Sequence, residues 1–264
     1  MNHLRGVYTI WYRDILRFWH DKMRLIGSIT FPLLFLFVFG SGLSARMGVL
    51  GPGVDFTQFI FPGIIGMTVL MSSFMAGVSV VWDREFGFLK EVLVAPISRA
   101  SVAAGKTLGS ATVALLQGML ILLFAPLIGV SLSVGTVLTL LPLMFLLAAS
   151  LGSLGVLLAT RIRSMEAFQA TMQMLMFPMV FLSGAFFPLQ ELPAWMNALV
   201  KINPATYGIA PIRQVILGAD PSSSYIYSIS LFGHVLTVWN EIAILAVFGT
   251  VVILLAVWSF GNQE

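Results

Sequence analysis

Few residues in this chain have the types and spacing that chemistry requires. The segment Ala100-Ser-Val-Ala-Ala-Gly105-Lys106-Thr107 satisfies a loosened phosphate-loop pattern, with Ala where the first Gly would stand. A real phosphate loop cradles its anion with backbone amides between a buried strand and a helix. Here an amphipathic stretch comes before it and an apolar run follows at once, so ATP binding is not expected and Lys106 reads as a charge at a membrane edge. Leu182-Ser183-Gly184 could present a nucleophile within a membrane helix, but it needs a base in reach, and His234 is the only candidate outside the N-terminal segment. His3, His20 and His234 are too scattered for a metal site, and the absence of Cys excludes thiolate ligands, thiol catalysis and disulfides. No catalytic, cofactor-binding or metal-binding residue is assigned.

Binding is better represented than catalysis. On a helical wheel Trp82, Phe86, Leu89 and Leu93 share a narrow stripe, Asp83, Arg84, Glu85, Lys90 and Glu91 occupy other faces, and Pro96 ends the helix. Such a helix can set its apolar ridge into a groove on a soluble partner, or it can rest on lipid headgroups as an elbow; the residues alone leave both open. Gln169 and Gln173 lie one turn apart near Met165, Met172 and Met176. They form either a wall of a substrate path or a set of interhelical amide hydrogen bonds with Met as filler. Glu241 is either an interfacial carboxylate or a partner for Lys201 or Arg213. Ala148, Gly152, Gly155 and Ala159 line up small residues that permit close helix approach, within one protomer or between two.

The elements that must position these groups are membrane helices. Of 264 residues, 58% are hydrophobic and 9% charged, against roughly 25% charged in a soluble domain. The apolar residues come in runs near the ~20 needed to cross a bilayer. Six spans are expected, at Leu25–Leu43, Phe56–Val81, Thr107–Val130, Val134–Thr160, Phe168–Phe187 and Asn240–Phe260, forming one all-α transmembrane domain over residues 1–264. Prolines at 32, 62, 126, 142 and 178 are tolerable there because neighbours re-satisfy freed carbonyls. The apolar stretch Tyr225–Trp239 is too short for a seventh span and suits a re-entrant or interfacial segment.

Residues 1–24 repeat Leu4, Val7, Tyr8, Trp11, Ile15, Phe18 and Trp19 at helical spacing, with Arg5, Arg13 and Arg17 on other faces. They predict an interfacial helix whose arginines meet anionic lipid; a soluble helix packed on a partner is the alternative. A cleaved signal peptide is not expected, because the stretch ahead of the first apolar run is too long for a charged n-region. Eleven Lys and Arg fall in the N-terminal segment, the 82–106 connection and at Arg161 and Arg163, against only Arg46, Lys201 and Arg213 on the other side. The positive-inside rule then puts both termini in the cytoplasm. The net charge of +3 sits beside apolar runs, so membrane lipid is the expected partner and nucleic acid is not.

Two stretches resemble a known family. Asp83-Arg-Glu-Phe-Gly-Phe-Leu-Lys-Glu-Val-Leu-Val-Ala-Pro-Ile-Ser-Arg99, followed by Gly105-Lys106, is similar to the cytoplasmic loop of type 2 ATP-binding-cassette (ABC) exporter permeases, the group of drug-resistance and nodulation-factor exporters. Phe181-Leu-Ser-Gly-Ala-Phe-Phe-Pro-Leu189, then Leu192-Pro-Ala-Trp195, Asn203-Pro204 and Tyr207, resembles the end of that family's fifth span and its external re-entrant hairpin, here within 188–239. The resemblance implies that Arg84, Glu85, Phe86, Gly87, Leu89, Lys90 and Leu93 belong to a coupling helix that contacts a separate nucleotide-binding ATPase. It also implies that ATP and Mg bind that subunit rather than this chain, and that a second permease copy, as in a homodimer, completes the path. The expected function is outward movement of an amphipathic or lipid-like substrate across the inner membrane. An ion-coupled secondary transporter would need ionisable groups at mid-bilayer, which the predicted spans almost lack; a non-transporting membrane scaffold is the remaining alternative.

Overall fold

The computed structural model describes residues 3–47, 49–51, 54–86, 99–162, 164–189, 192–218, 229–231 and 234–261. Helix α1 (His3–His20) is followed by α2 (Lys22–Met47), and a short antiparallel pair, β1 (Val49–Gly51) with β2 (Val54–Asp55), leads into α3 (Phe56–Ser73) and α4 (Met75–Glu85). After the 87–98 segment come α5 (Arg99–Leu122), α6 (Val134–Arg161), α7 (Met165–Phe181), α8 (Ala194–Ile202) and α9 (Pro204–Leu217). A second strand pair, β3 (Ser230–Leu231) and β4 (His234–Val235), precedes the last helix, α10 (Val238–Gly261). Among the described residues the fold is all-α apart from these two pairs, and five stretches are long and apolar enough to cross a membrane: in α2, in α3 and α4 taken together, and in α5, α6 and α10.

Prolines and glycines explain where several helices stop. Helix α5 starts at Arg99 rather than Thr107 and ends at Leu122 rather than Val130. Pro126 lacks an amide proton, and its ring opposes the carbonyl four residues back, which is Leu122. A 3-10 turn, Ala125–Ile128, follows and closes on Gly129 at φ 77°, a left-handed conformation glycine adopts freely. Helix α7 contains Pro178 and ends at Phe181, short of the expected Phe187, in a turn where Gly184 takes φ 75°. Its 17 residues make a helix of about 26 Å, at the short end of what spans a bilayer.

The core is centred on α3, α4 and α6. Most of Phe56–Glu85 is buried, whereas α2 and α10 turn most of their surface outward. The stripe of Ala148, Gly152, Gly155 and Ala159 is wholly buried inside this one chain, so the close approach it permits is intramolecular. Where α4 crosses α6 a Cβ on Gly77 would lie 2.4 Å from the Gly155 carbonyl oxygen, and one on Gly155 would lie 3.2 Å from the Phe74 ring. Helix α10 joins the same bundle through a Thr160–Ser259 hydroxyl pair at 2.7 Å and a backbone approach at Gly249 to Ser150.

Helix α1 does not present the single apolar face that its spacing suggests. It lies on α5, burying Ile10 and Phe18 and half-burying Val7 and Trp11, while Leu4, Tyr8 and Trp19 are exposed. Gly105 and Gly109 of α5 let it approach closely: their Cβ positions fall 2.9 Å from Ile10 and 3.0 Å from Asp14. The Trp11 indole donates to Thr112 Oγ1 at 3.0 Å. The seam is with the chain's own α5 and leaves Leu4, Tyr8 and Trp19 exposed.

Candidate coupling site

Four charged side chains meet where α1, α4 and α5 come together. Lys106 Nζ lies 2.6 Å from Asp83 Oδ2 and 3.6 Å from Asp14 Oδ1, and it also donates to the Ser79 hydroxyl. Arg13 Nη2 reaches the same two carboxylates, at 3.2 Å from Asp83 and 3.4 Å from Asp14. Two cations thus oppose two anions. Lys106 is only 2% exposed, so the sequence reading of it as a simple edge charge needs correction: it is a buried ion-pair partner tying three helices together. Asp83, read as lying on an outer face, is buried too. The phosphate-loop look-alike around Lys106 is wound into the opening turns of α5, so its backbone makes a helix rather than a cradle.

The residues flanking this cluster divide by direction. Arg84 Nη1 donates to the carbonyls of Ala159 at 3.1 Å and Ile162 at 3.2 Å, capping the end of α6 where helix carbonyls lack internal partners. Glu85 and Phe86 point outward, with Phe86 67% exposed and its ring 4.6 Å from that of Trp82. The stripe that joins Trp82 to Phe86 is therefore present and unburied. Helix α4 continues from the membrane run through Glu85, so these residues are the last turn of a bundle helix, braced by ion pairs behind and a helix cap beside. Gly87, Leu89, Lys90 and Leu93 lie outside the described residues.

The other predicted residues sit on α7, where they are split by direction. Met172 is buried and Met176 half-buried, whereas Gln169 and Gln173 are on the exposed face with Met174 and Phe177. The four do not line one wall within a single chain.

At the end of the bundle away from the ion cluster, α8 and α9 follow one another with only Asn203 between them. Asn203 Oδ1 accepts from the Ala205 amide at 3.0 Å, and its Nδ2 donates to the Met179 carbonyl at 2.8 Å, so one side chain caps α9 and ties its start to α7. Helix α9 is buried along most of its length, with Ile209 filling the space left by Gly66. Arg213, 1% exposed, stacks 4.2 Å over the Phe59 ring and donates to the carbonyls of Gly184 and Ala185. Glu241 is fully buried and accepts a hydrogen bond from Gln214 Nε2 at 3.0 Å and another from the Ile229 backbone. Its side-chain donor is Gln214 rather than Lys201 or Arg213. Ser183, the nucleophile candidate, is buried with its hydroxyl donated to the Val180 carbonyl at 2.6 Å, while His234 lies exposed in β4.

The sequence reading missed the Asp14–Asp83–Lys106 grouping. A usable signal was present: Asp14 falls four residues after Ile10 and four before Phe18, on the seam α1 buries.

The decisive comparison is with family profiles: the ABC-2 type transporter profile matches residues 5–217. The chain belongs to the ABC-2 type transporter family. Its relatives include the putative transport permease ycf38 of Cyanophora paradoxa, 31% identical over 232 residues covering 87% of this chain and 79% of that protein. The inner membrane transport permease YadH of Escherichia coli K12 is 28% identical, covering 83% of this chain and 87% of YadH. Nodulation protein J of Rhizobium leguminosarum bv. trifolii is 26% identical, covering 80% of each chain. This ABC-2 chain is accordingly a membrane transport permease. The profile spans α1 through α9 and so includes both the ion cluster and the α8–α9 pair.

Proposed function

We propose that this chain is the membrane-spanning subunit of an ABC exporter, driven by a separate ATPase that binds ATP and Mg and docks on the segment from Arg84 to Leu93. The observation that carries the reading is the Trp82–Phe86 pair, exposed at the tip of a helix whose next residues inward are locked by Arg84 and Asp83 to α6, α5 and α1. A push on that tip is transmitted to the bundle rather than absorbed locally. In this reading the basic end faces the cytoplasm, both termini are cytoplasmic, and the membrane is the inner one, in keeping with the name of the Escherichia coli relative. The six spans are α2, α3 with α4, α5, α6, α7 and α10, and α8 with α9 forms the external re-entrant hairpin. Exposed amides at Gln169 and Gln173 need polar partners in a bilayer, which a second copy of the chain across α7 supplies. The cargo is amphipathic or lipid-like, as a charge-poor path suits.

The test is assembly with the ATPase. Glu85→Lys and Leu89→Asp should each weaken the complex about tenfold or more and remove substrate-stimulated ATP hydrolysis while membrane insertion is unchanged, since central interface side chains commonly contribute over 1.4 kcal/mol. Both variants assembling and hydrolysing ATP like the parent would sink the reading.

A further inference from the structure

Two neighbouring cavities share part of their lining, and the second of them lies against α2. The first, about 270 Å³, opens at the charged end, where Asp14, Arg17 and Asp21 stand at its mouth and Phe18, Met75 and Val113 line its sides. The second, about 400 Å³, lies farther along the same helices between Phe31, Pro32, Thr68, Met71 and Gln117. Ser72 and Met75 line both, so the two cavities adjoin there, and the groove proposed below runs across that junction. The second cavity falls in the range of small-molecule sites and the first just below it, and the order of their linings, charged and then apolar, matches an amphiphile lying lengthwise.

The junction supplies a second and independent indication. Ser72 is only 7% exposed, and its hydroxyl finds no hydrogen-bond partner among the described residues. Buried hydroxyls are nearly always satisfied, and an orphan one carries a desolvation cost that a ligand can relieve. Other hydroxyls nearby are already bonded within their own helices, Thr68 to the Ile64 carbonyl and Ser110 to the Thr107 carbonyl. Ser72 is therefore the donor left over, placed where a polar mouth gives way to an apolar bed. The groove is bordered by α2, which is mostly unburied, and a Cβ on Gly27 would meet nothing within 4 Å, so the lining is open on the side toward lipid.

We propose that this groove binds one acyl chain of a zwitterionic membrane amphiphile, with the linking ester or amide oxygen accepting a hydrogen bond from Ser72, the chain lying along Phe31, Pro32 and Met71, and the head at Arg17 and Asp21. Arg17 suits a phosphate and the Asp21 carboxylate suits an ammonium group. The same chemistry describes a resident inner-leaflet phospholipid and a cargo amphiphile on its way out; the second source rests on the proposed function.

The experiment uses the full chain in liposomes of phosphatidylethanolamine and phosphatidylglycerol, doped with a phosphatidylethanolamine carrying a photoreactive group at mid-chain. Irradiation and peptide mapping should concentrate label at Phe31–Pro32 and Met71–Met75 above the outward-facing Leu254 and Leu255. Ser72→Phe, which fills the junction, should lower groove label severalfold and leave the Leu254 label unchanged. Gly27→Trp, at a position with room for it, should do the same without disturbing the core. Label spread evenly over lipid-facing residues, or groove label indifferent to both substitutions, would overturn the site. Adding the ATPase and ATP separates the sources: groove label that falls marks a cargo, and label that persists marks a resident lipid. Labelling needs neither ATPase nor transport, so an empty groove leaves the proposed function standing, and failure of the ATPase to bind leaves the groove result intact.

Discussion

Lys106→Met will destabilise the folded chain by about 3 kcal/mol, the lower end of the range for breaking a buried ion pair. The loss is large because Asp83, itself buried, keeps its charge while its 2.6 Å partner is gone. It stays at the lower end because Arg13, at 3.2 Å and partly exposed, still faces the same carboxylate. Removing both members behaves differently. Asp83→Leu with Lys106→Met takes the pair out of the interior together, leaving Arg13 and Asp14 opposed to each other, and should recover most of the single-mutant loss. Denaturant titration of the detergent-solubilised protein through the four corners of this cycle measures the coupling. A double mutant no better than the worse single would mean the pair is not the unit that joins α1, α4 and α5.

Gly77→Leu will abolish folding outright or cost more than about 3 kcal/mol, the upper range for overpacking a tight core. The first added atom already meets the Gly155 carbonyl at 2.4 Å and the Phe168 ring at 2.5 Å. A carbonyl in the middle of a long helix cannot step aside as a side-chain tip can, so α4 and α6 must separate. Gly27→Leu is the matched control, because nothing lies within 4 Å of its Cβ position. The contrast is read by the fraction of each variant recovered as monodisperse protein after extraction. Equal recovery would show that the α4–α6 crossing is looser than described.

What the sequence made legible was what hydropathy controls. Apolar runs announced the membrane helices, and α6 begins where Ser133 caps it, accepting from the Thr136 amide at 3.0 Å. Boundaries failed where a local geometric event overrides hydropathy: Pro126 ends α5 although the apolar run continues, and the turn at Gly184 ends α7 in the middle of one. The buried face of helix α1 was hidden for a related reason. Its aromatic residues cover more than one face, so spacing alone could not say that Ile10 and Phe18 form the seam and Trp19 does not. Buried polar groups were the least legible. Lys106, Asp83, Arg213 and Glu241 look like surface charges in one dimension, and only the folded arrangement supplies the carboxylates, carbonyls and amide that make their burial tolerable. For the candidate coupling residues, the sequence marked the Trp82–Phe86 stripe but gave no sign that Arg84, one of the group, turns inward to cap α6.

In the proposed function force enters this permease at the Phe86 tip, and cross-linking shows whether the ATPase sits there. The chain contains no Cys, so a single introduced thiol is unique. Phe86→Cys and, as a control, Leu127→Cys beside the turn at the opposite end of α5 would each be reconstituted with the ATPase subunit and treated with a short bifunctional reagent. The account predicts a cross-linked permease–ATPase band from Phe86→Cys that changes in yield when ATP is added, and none from Leu127→Cys. A cross-link from Leu127→Cys with none from Phe86→Cys would place the ATPase at the wrong end of the bundle and contradict it.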